Sequence, residues 1–174
     1  MHGVHVSVQP SHELPALTRD LALRLRVEAL YAEYAQTIDD DRLEEWPELF
    51  VENGKYRVTT RENHARGLSL AIMYCDGRGM MSDRISALRL ANIYEPHVYC
   101  HLTGSVRIVD GAQGDIQAQA NFAVIRTMQE GEQTIFASGR SFDRIAEVGG
   151  RLLFKERTVV LDSRQVDTLL VIPI

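Results

Sequence analysis

The chain has 174 residues, which fits one domain, and 45% of them are hydrophobic, enough for a full core and against global disorder. A net charge of −5 argues against nucleic acid as a partner, because phosphate binding needs a basic surface. No apolar run approaches the ~20 residues of a membrane span, and Met1 to Gln9 lack the basic start and apolar centre of a signal peptide, so no membrane contact and a cytoplasmic location are expected.

Residues 1–17 are polar and contain Pro10 and Pro15; they read as a flexible arm able to pack on a partner. Its histidines, His2, His5 and His12, read as solvated rather than metal-bound. Residues 18–174 read as a single domain, with no repeat, low-complexity tract or dividing linker. From Thr18 to Asp39, Leu23, Val27, Leu30, Tyr31, Tyr34 and Ile38 form one stripe at a period of 3.6, predicting an amphipathic helix with Asp20 in its first turn. Asp39-Asp40-Asp41 opposes the dipole at the helix end, so the chain should turn there. One of these aspartates is expected to cap a short helix from Leu43 to Phe50, with Trp46 and Phe50 inward and a kink or restart at Pro47.

Gly54 to Thr60 predicts a strand after an Asn53-Gly54 turn. Arg61 to Gly67 reads as a loop, and Leu68 to Cys75 is ambiguous between strand and helix. After a break at Asp76 to Gly79, Met81, Ile85 and Leu88 predict a helix over Met80 to Ala91, with Ser82 or Asp83 suited to its start. Arg84 and Arg89 point elsewhere and suit carboxylates. A connector with Pro96 leads to a strand over Val98 to Val109, possessing Gly104 where a bend is tolerated, and an Asp110-Gly111…Gly114-Asp115 turn follows.

Residues 116–162 frame the molecule as three long strands, Ile116–Met128, Thr134–Ile145 and Leu152–Leu161, joined by turns at Glu130-Gly131-Glu132 and Val148-Gly149-Gly150. Ile116, Ala118, Ala120, Phe122 and Val124 alternate with Gln117, Gln119, Asn121 and Ala123, a period of two that separates an apolar face from an amide-bearing face suited to a cavity or partner. Strands this long twist, and Gly139 permits a bend, so the sheet should curve strongly with helices on its concave side. The final stretch, Leu169 to Ile174, is apolar and should either dock in the core or cover a partner surface. Helices followed by antiparallel strands give an α+β cone.

Candidate chemistry is sparse. One of Asp39, Asp40 and Asp41 facing His97, His101, Tyr56 or Tyr99 across an apolar pocket would be an acid–base pair; a solvated turn is the plainer reading. Glu95, His97 and His101 have the composition of a metal trio, but Pro96 precedes and the helical context of such sites is missing. Cys75 and Cys100 stand outside any Cys-x-x-Cys or Cys-x-His pair and read as free thiols. No phosphate loop or nucleophile elbow is present.

Several blocks carry a resemblance: Tyr31 to Asp41; Glu45-Trp46-Pro47-Glu48-Leu49-Phe50; Tyr56-Arg57-Val58-Thr59; Asn63-His64-Ala65; Asp83 to Arg89 with Ala91 to Glu95; Phe136 to Gly139; Glu156-Arg157; Asp162-Ser163; and Asp167-Thr168-Leu169. The chain from about residue 25 onward resembles the small (beta) subunits of aromatic-ring-hydroxylating oxygenases of the Rieske non-haem iron type, closest to those of terephthalate dioxygenase and salicylate hydroxylase. The departure is at Val98-Tyr99-Cys100-His101, where relatives often carry more arginine.

The resemblance implies a cystatin-like, NTF2-like fold: a curved antiparallel sheet with N-terminal helices on its concave side. It implies a mainly structural role in a ring-hydroxylating oxygenase of carboxylated aromatics, inserting one or two oxygen atoms, in an α3β3 hexamer with contacts between beta subunits, fed by a reductase or ferredoxin. The Rieske [2Fe-2S] cluster and the mononuclear Fe(II) are then in the alpha subunit, with no cofactor or catalytic residue in this chain. Subunit contacts are expected at Tyr94, His97, His101, Leu169, Val171 and Ile172. The rival readings are a stand-alone isomerase or dehydratase of the same fold, marked by a helix-end Asp facing His or Tyr in a closed apolar cavity, and a small-ligand binding module.

Overall fold

The computed structural model describes residues 14–91, 95–109, 114–163, 170 and 172–174. Its elements are α1 (Leu14–Asp39), a 3-10 turn (Trp46–Leu49), β1 (Phe50–Thr60), α2 (Arg61–Ala65), β2 (Met73–Asp76), α3 (Arg78–Ala91), β3 (His97–Val109), β4 (Ile116–Met128), β5 (Gln133–Val148) and β6 (Arg151–Leu161). The six strands form one open sheet in the order β2-β1-β6-β5-β4-β3. All neighbours run antiparallel except β1 and β6, which are parallel. This is the expected α+β architecture.

α1 lies across the inner face of the sheet. Val27, Leu30, Tyr31, Tyr34 and Ile38 are buried, as the 3.6-residue stripe requires. The helix starts at Leu14, before the expected Thr18, so residues 14–17 are helical rather than part of an arm and Asp20 falls beyond the first turn. Its end is a Schellman turn: the Arg42 N–H donates to Thr37 O at 2.9 Å and the Asp41 N–H to Ile38 O at 3.1 Å. Asp41 takes the left-handed conformation usually given to glycine, with φ 57°.

The helix expected over Leu43–Phe50 shrinks to the 3-10 turn, because Phe50 already belongs to β1; no aspartate caps it, since Glu45 is its N-cap and makes no side-chain bond there. Asn53-Gly54 is not a turn but lies inside β1, where the parallel register with β6 shifts between Phe50 and Lys55. A Cβ on Gly54 would lie 2.9 Å from both Phe50 Cβ and Val51 O, so the bulge needs glycine. The expected loop Arg61–Gly67 contains α2, whose first turn is capped by Thr60 accepting from the Asn63 N–H at 3.2 Å. α3 begins at Arg78 rather than at Ser82 or Asp83, once Gly77 has made the turn at φ 92°.

β4 keeps its expected bounds, and its alternation holds: Ala118, Ala120, Phe122 and Val124 are buried. The two turns sit at Gly131 and at Gly149-Gly150, all with positive φ. The tail turns inward, with Leu170, Ile172 and Ile174 in the core beside Trp46, Phe50, Tyr56 and Phe154. Not every helix lies on the concave side. α2 sits against the outer face, where His64 stacks on Phe142 with ring centres 4.8 Å apart. Tyr94, Leu169 and Val171, the Asp110–Gln113 part of one turn and the arm before Leu14 lie outside the described residues.

Candidate functional site

The inner face of the cone is where chemistry would be expected in an α+β pocket, and here it is filled. Parity along β5 points Ser141, Asp143 and Ile145 inward, and parity along β6 points Arg157, Val159 and Leu161 inward; all six are buried. Two of them are charged. Arg157 donates to Asp143 Oδ2 at 3.0 Å, and the Tyr31 hydroxyl donates to the same oxygen in a short hydrogen bond. The guanidinium also lies 4.0 Å above the Tyr34 ring, 4.8 Å above Phe154 and 5.1 Å above Tyr31.

Burial pushes the Asp143 carboxyl up, and Arg157 with Tyr31 pulls it only part of the way back. Burial opposes the Arg157 charge, but Asp143 and the tyrosine oxygens outweigh it, so the guanidinium stays protonated. The Tyr31 hydroxyl is likewise pushed up, by burial first and by Asp143 second. The sequence showed Arg157 only as part of a resemblance and did not single out Asp143. The signal available was a charge at a core-parity position of each strand.

The tail closes the hollow. The Tyr56 hydroxyl donates to Ile174 O at 2.8 Å and accepts from the Ile174 N–H at 3.0 Å, while Tyr34 donates to the same oxygen at 2.9 Å. Burial pushes both hydroxyls up, so they remain protonated donors. Ile172 is therefore buried within its own chain. Tyr56, a candidate acid–base partner, spends its hydroxyl on the tail.

Asp39 meets His101 at the rim. His101 Nδ1 lies 2.6 Å from Asp39 Oδ1, and the His101 backbone N–H donates to Oδ2 at 2.8 Å. Both carboxylate oxygens thus hold β3 against the end of α1. The adjoining groove, about 420 Å³, is open and lined by Arg24, Glu28 and Gln36 as well as by apolar groups. The closed apolar cavity that an isomerase or dehydratase reading requires is not what surrounds this pair. Asp40 and Asp41 are spent elsewhere: Asp40 lies 3.6 Å from Arg42, and Arg89 donates to both Asp41 oxygens at 2.8 Å and to Glu44 at 2.8 Å. Arg89 thereby ties α3 to the α1 turn. Among the described residues Arg84 meets no carboxylate; it donates to Leu170 O at 2.8 Å.

The metal trio does not form. His97 Nδ1 faces the main-chain oxygen of Glu95 at 2.8 Å, and His101 is committed to Asp39. Among the described residues no three His, Cys, Asp or Glu side chains converge to hold a metal ion. Cys75 lies on β2 and Cys100 on β3, opposite edges of the sheet. The residues of this chain therefore do not fit a Rieske cluster, which needs two cysteines and two histidines together.

A larger groove, about 620 Å³, opens on the outer face, lined by Arg61, His64, Asn121, Arg140, Phe142 and Asp162. The amide-bearing side of β4 thus lines a surface groove.

Residues 33–168 match the family model described as ring hydroxylating beta subunit. The chain is 43% identical to the beta 1 subunit of the terminal oxygenase component of terephthalate 1,2-dioxygenase from Comamonas sp. over 150 residues, covering 86% of this chain and 97% of that one. It is 36% identical to the small subunit of anthranilate 1,2-dioxygenase from Burkholderia cepacia, covering 91% of this chain and 98% of that one. The crystal structure of a beta subunit assigned to an aromatic-ring-hydroxylating dioxygenase of Novosphingobium aromaticivorans superposes with a TM-score of 0.81 at 37% identity, covering 89% of this chain and 99% of that one. A packed cone and a match of this extent lead to one conclusion: the chain belongs to the ring-hydroxylating beta-subunit family, the subunits of oxidoreductases whose chemistry lies in the alpha subunit.

Proposed function

We propose that this chain is the assembly subunit of a multicomponent dioxygenase that hydroxylates a carboxylated aromatic ring. The observation that carries this reading is the filled hollow: Tyr31, Tyr34, Trp46, Phe50, Phe154 and Ile174 pack together in one buried core between the helices and the sheet. A rigid plug suits holding other chains rather than turning over small molecules. Terephthalate and anthranilate, named for the relatives, are both ring carboxylates, which supports that substrate class.

In this reading the partner is an alpha subunit carrying a Rieske [2Fe-2S] cluster and a mononuclear Fe(II). The assembly is α3β3, receives electrons from a reductase or ferredoxin, and works in the cytoplasm. His97, His101, Tyr94 and the tail residues Leu169, Val171 and Ile172 are the proposed neighbourhood of subunit contacts, with Ile172 acting by shaping the tail from within.

The test is co-expression with the neighbouring large-subunit reading frame. A complex of equal subunit ratio, with iron and arene-carboxylate turnover in the complex alone, is expected. Turnover by the isolated chain, or stoichiometric iron bound to it, would overturn the reading.

A further inference from the structure

The outer face of the sheet divides into two zones. At one end the register aligns Lys55, Glu156, Arg144 and Gln117 across four strands. The charges there are matched within the chain: Arg144 lies 2.8 Å from Asp115 and 3.6 Å from Glu156, and Lys155 lies 3.0 Å from Asp115.

At the other end the same face is apolar. Cys100 stands opposite Ile125, which stands opposite Ile135; Leu102 stands opposite Ala123; Val98 begins the row. Ile135 is 75% exposed, Val98 61% and Leu102 53%. Two bulges build this zone. In β5 the register shifts so that Ile135 and Ala137 face Ile125 and Val124, with Phe136 as the extra residue. Phe136 turns inward to stack on Tyr99 at 5.2 Å, and Ile135 is left pointing out. In β3 the register shifts between Gly104 and Arg107, which brings Arg107 to the outer face opposite Gln119. Arg107 and Arg140 border the patch, and neither has an ion pair among the described residues.

Three strands about 4.8 Å apart and five residues at about 3.4 Å each give a patch of about 240 Å². A standard interface needs about 800 Å² per partner, so the patch can be only the core of one, with its charged rim included.

A counterpart exists on the same chain. At the far edge of the sheet, Leu70 is 63% exposed and Ile72 and Tyr74 are each 42% exposed. Tyr74 pairs with Arg57 in the register, on the outer face. Beside them stand Asp76 and Glu52, loosely held at 3.8 Å from Lys55 and 3.9 Å from Arg78. A three-fold ring needs a head-to-tail contact in which two different surfaces meet, since a patch that pairs with itself closes a dimer instead. This chain carries two unlike apolar patches at opposite edges of one face, one rimmed by arginines and the other by carboxylates.

We propose that the Val98–Leu102–Ile135 patch is the core of a head-to-tail contact with a second copy of this chain, received on Leu70, Ile72 and Tyr74 beside Asp76 and Glu52. This assignment rests on the hexamer proposed above and names the faces that join its beta subunits.

The experiment is sedimentation of the full chain alone, with Ile135→Asp and Tyr74→Asp tested separately. Both positions are exposed, so both variants should melt as the parent does. The parent is expected to sediment as a trimer, and each variant to self-associate about tenfold more weakly or worse, the loss expected from one buried anchor. Arg107→Glu should weaken the trimer and Asp76→Arg should restore it in the double variant. In a Cys100→Ser background, mixing Leu102→Cys with Tyr74→Cys chains should give a disulfide between copies, which neither variant forms alone. Unchanged trimers in both aspartate variants, or a Leu102→Cys chain that cross-links to itself, would overturn the proposal. So would a parent chain that is monomeric alone yet forms a normal complex with the large subunit. That last result leaves the beta-subunit reading standing; failure of the parent to bind the large subunit sinks that reading instead.

Discussion

Replacing Asp143 with Asn tests whether the core is held by a charge pair or merely tolerates one. Among the described residues the carboxylate is the only acid paired with Arg157, in a region where both side chains are almost fully buried. Breaking a buried pair by removing one member leaves an uncompensated charge, which costs about 3–5 kcal/mol. The rings of Tyr34, Phe154 and Tyr31 cushion the guanidinium, each within 5.1 Å, which favours the lower end, about 3 kcal/mol. At about 2–4 °C per kcal/mol for a chain of this size, the melting temperature should fall by about 6–12 °C. Thermal unfolding followed by circular dichroism measures it directly.

The companion variant, Arg157→Met with Asp143→Leu, removes both charges and should recover most of the loss. Arg157→Met alone should behave differently with pH. Burial already raises the Asp143 carboxyl, and without the cation it rises further. A raised carboxyl contributes stability that is present at low pH and lost as pH rises through the folded-state value, so the deficit of this variant should widen as pH rises above the ordinary carboxylate range. An Asp143→Asn protein melting within about 2 °C of the parent, or a double variant worse than the single one, would refute the reasoning.

Gly139→Ala should be severe: the added Cβ would lie 2.0 Å from Val160 O and 3.1 Å from Leu161 Cα, backbone atoms that cannot yield without breaking the β5–β6 pair. A loss of about 3 kcal/mol or more, at or beyond the upper end of ordinary overpacking, is expected by urea unfolding. Tyr56→Phe removes both hydrogen bonds to Ile174 and should cost about 1–3 kcal/mol, with faster amide exchange at Ile174 and Tyr34 still bonded to its oxygen. Arg144 first, and Lys155 second, hold the Asp115 carboxyl below its ordinary range. A depressed carboxyl contributes stability above its unfolded value that fades as pH falls through the folded one, so Asp115→Asn should converge with the parent below about pH 4 and trail it at neutral pH in melting scans.

Local patterns in the sequence were informative where a single element decides its own fate. The stripe on α1 and the alternation in β4 named the buried residues, because burial of one face is enough to produce either period. Features that depend on distant pairing were not readable. Asn53-Gly54 has the composition of a hairpin turn, yet β6 lies alongside and converts it into a bulge within β1. Thr60 and Asn63 carry a capping signal that the polarity of Arg61–Gly67 masks.

At the candidate site, the partners Asp39 and His101 were legible as residue types. Their contact depends on β3 being the sheet edge that crosses the end of α1, which only topology supplies. The ion pair of Asp143 and Arg157 was legible in principle, since strand parity assigns both to the core. The outer patch was not, because Ile135 is exposed only through the one-residue slip beside Phe136.

The parallel pairing of β1 with β6 joins residue 50 to residue 154 and residue 60 to residue 161. During synthesis, the nascent polypeptide must therefore emerge through residue 154 and beyond before its first strand finds a neighbour on that side. Until then β1 has only the four-residue β2 to shelter it, and Phe50, Tyr56 and Val58 stay wet. Closure over so long a loop is slow and leaves an edge open to wrong pairings. A stalled or C-terminally clipped product should be recovered as aggregate rather than as a smaller native particle, so cells gain from making this polypeptide alongside whatever it joins.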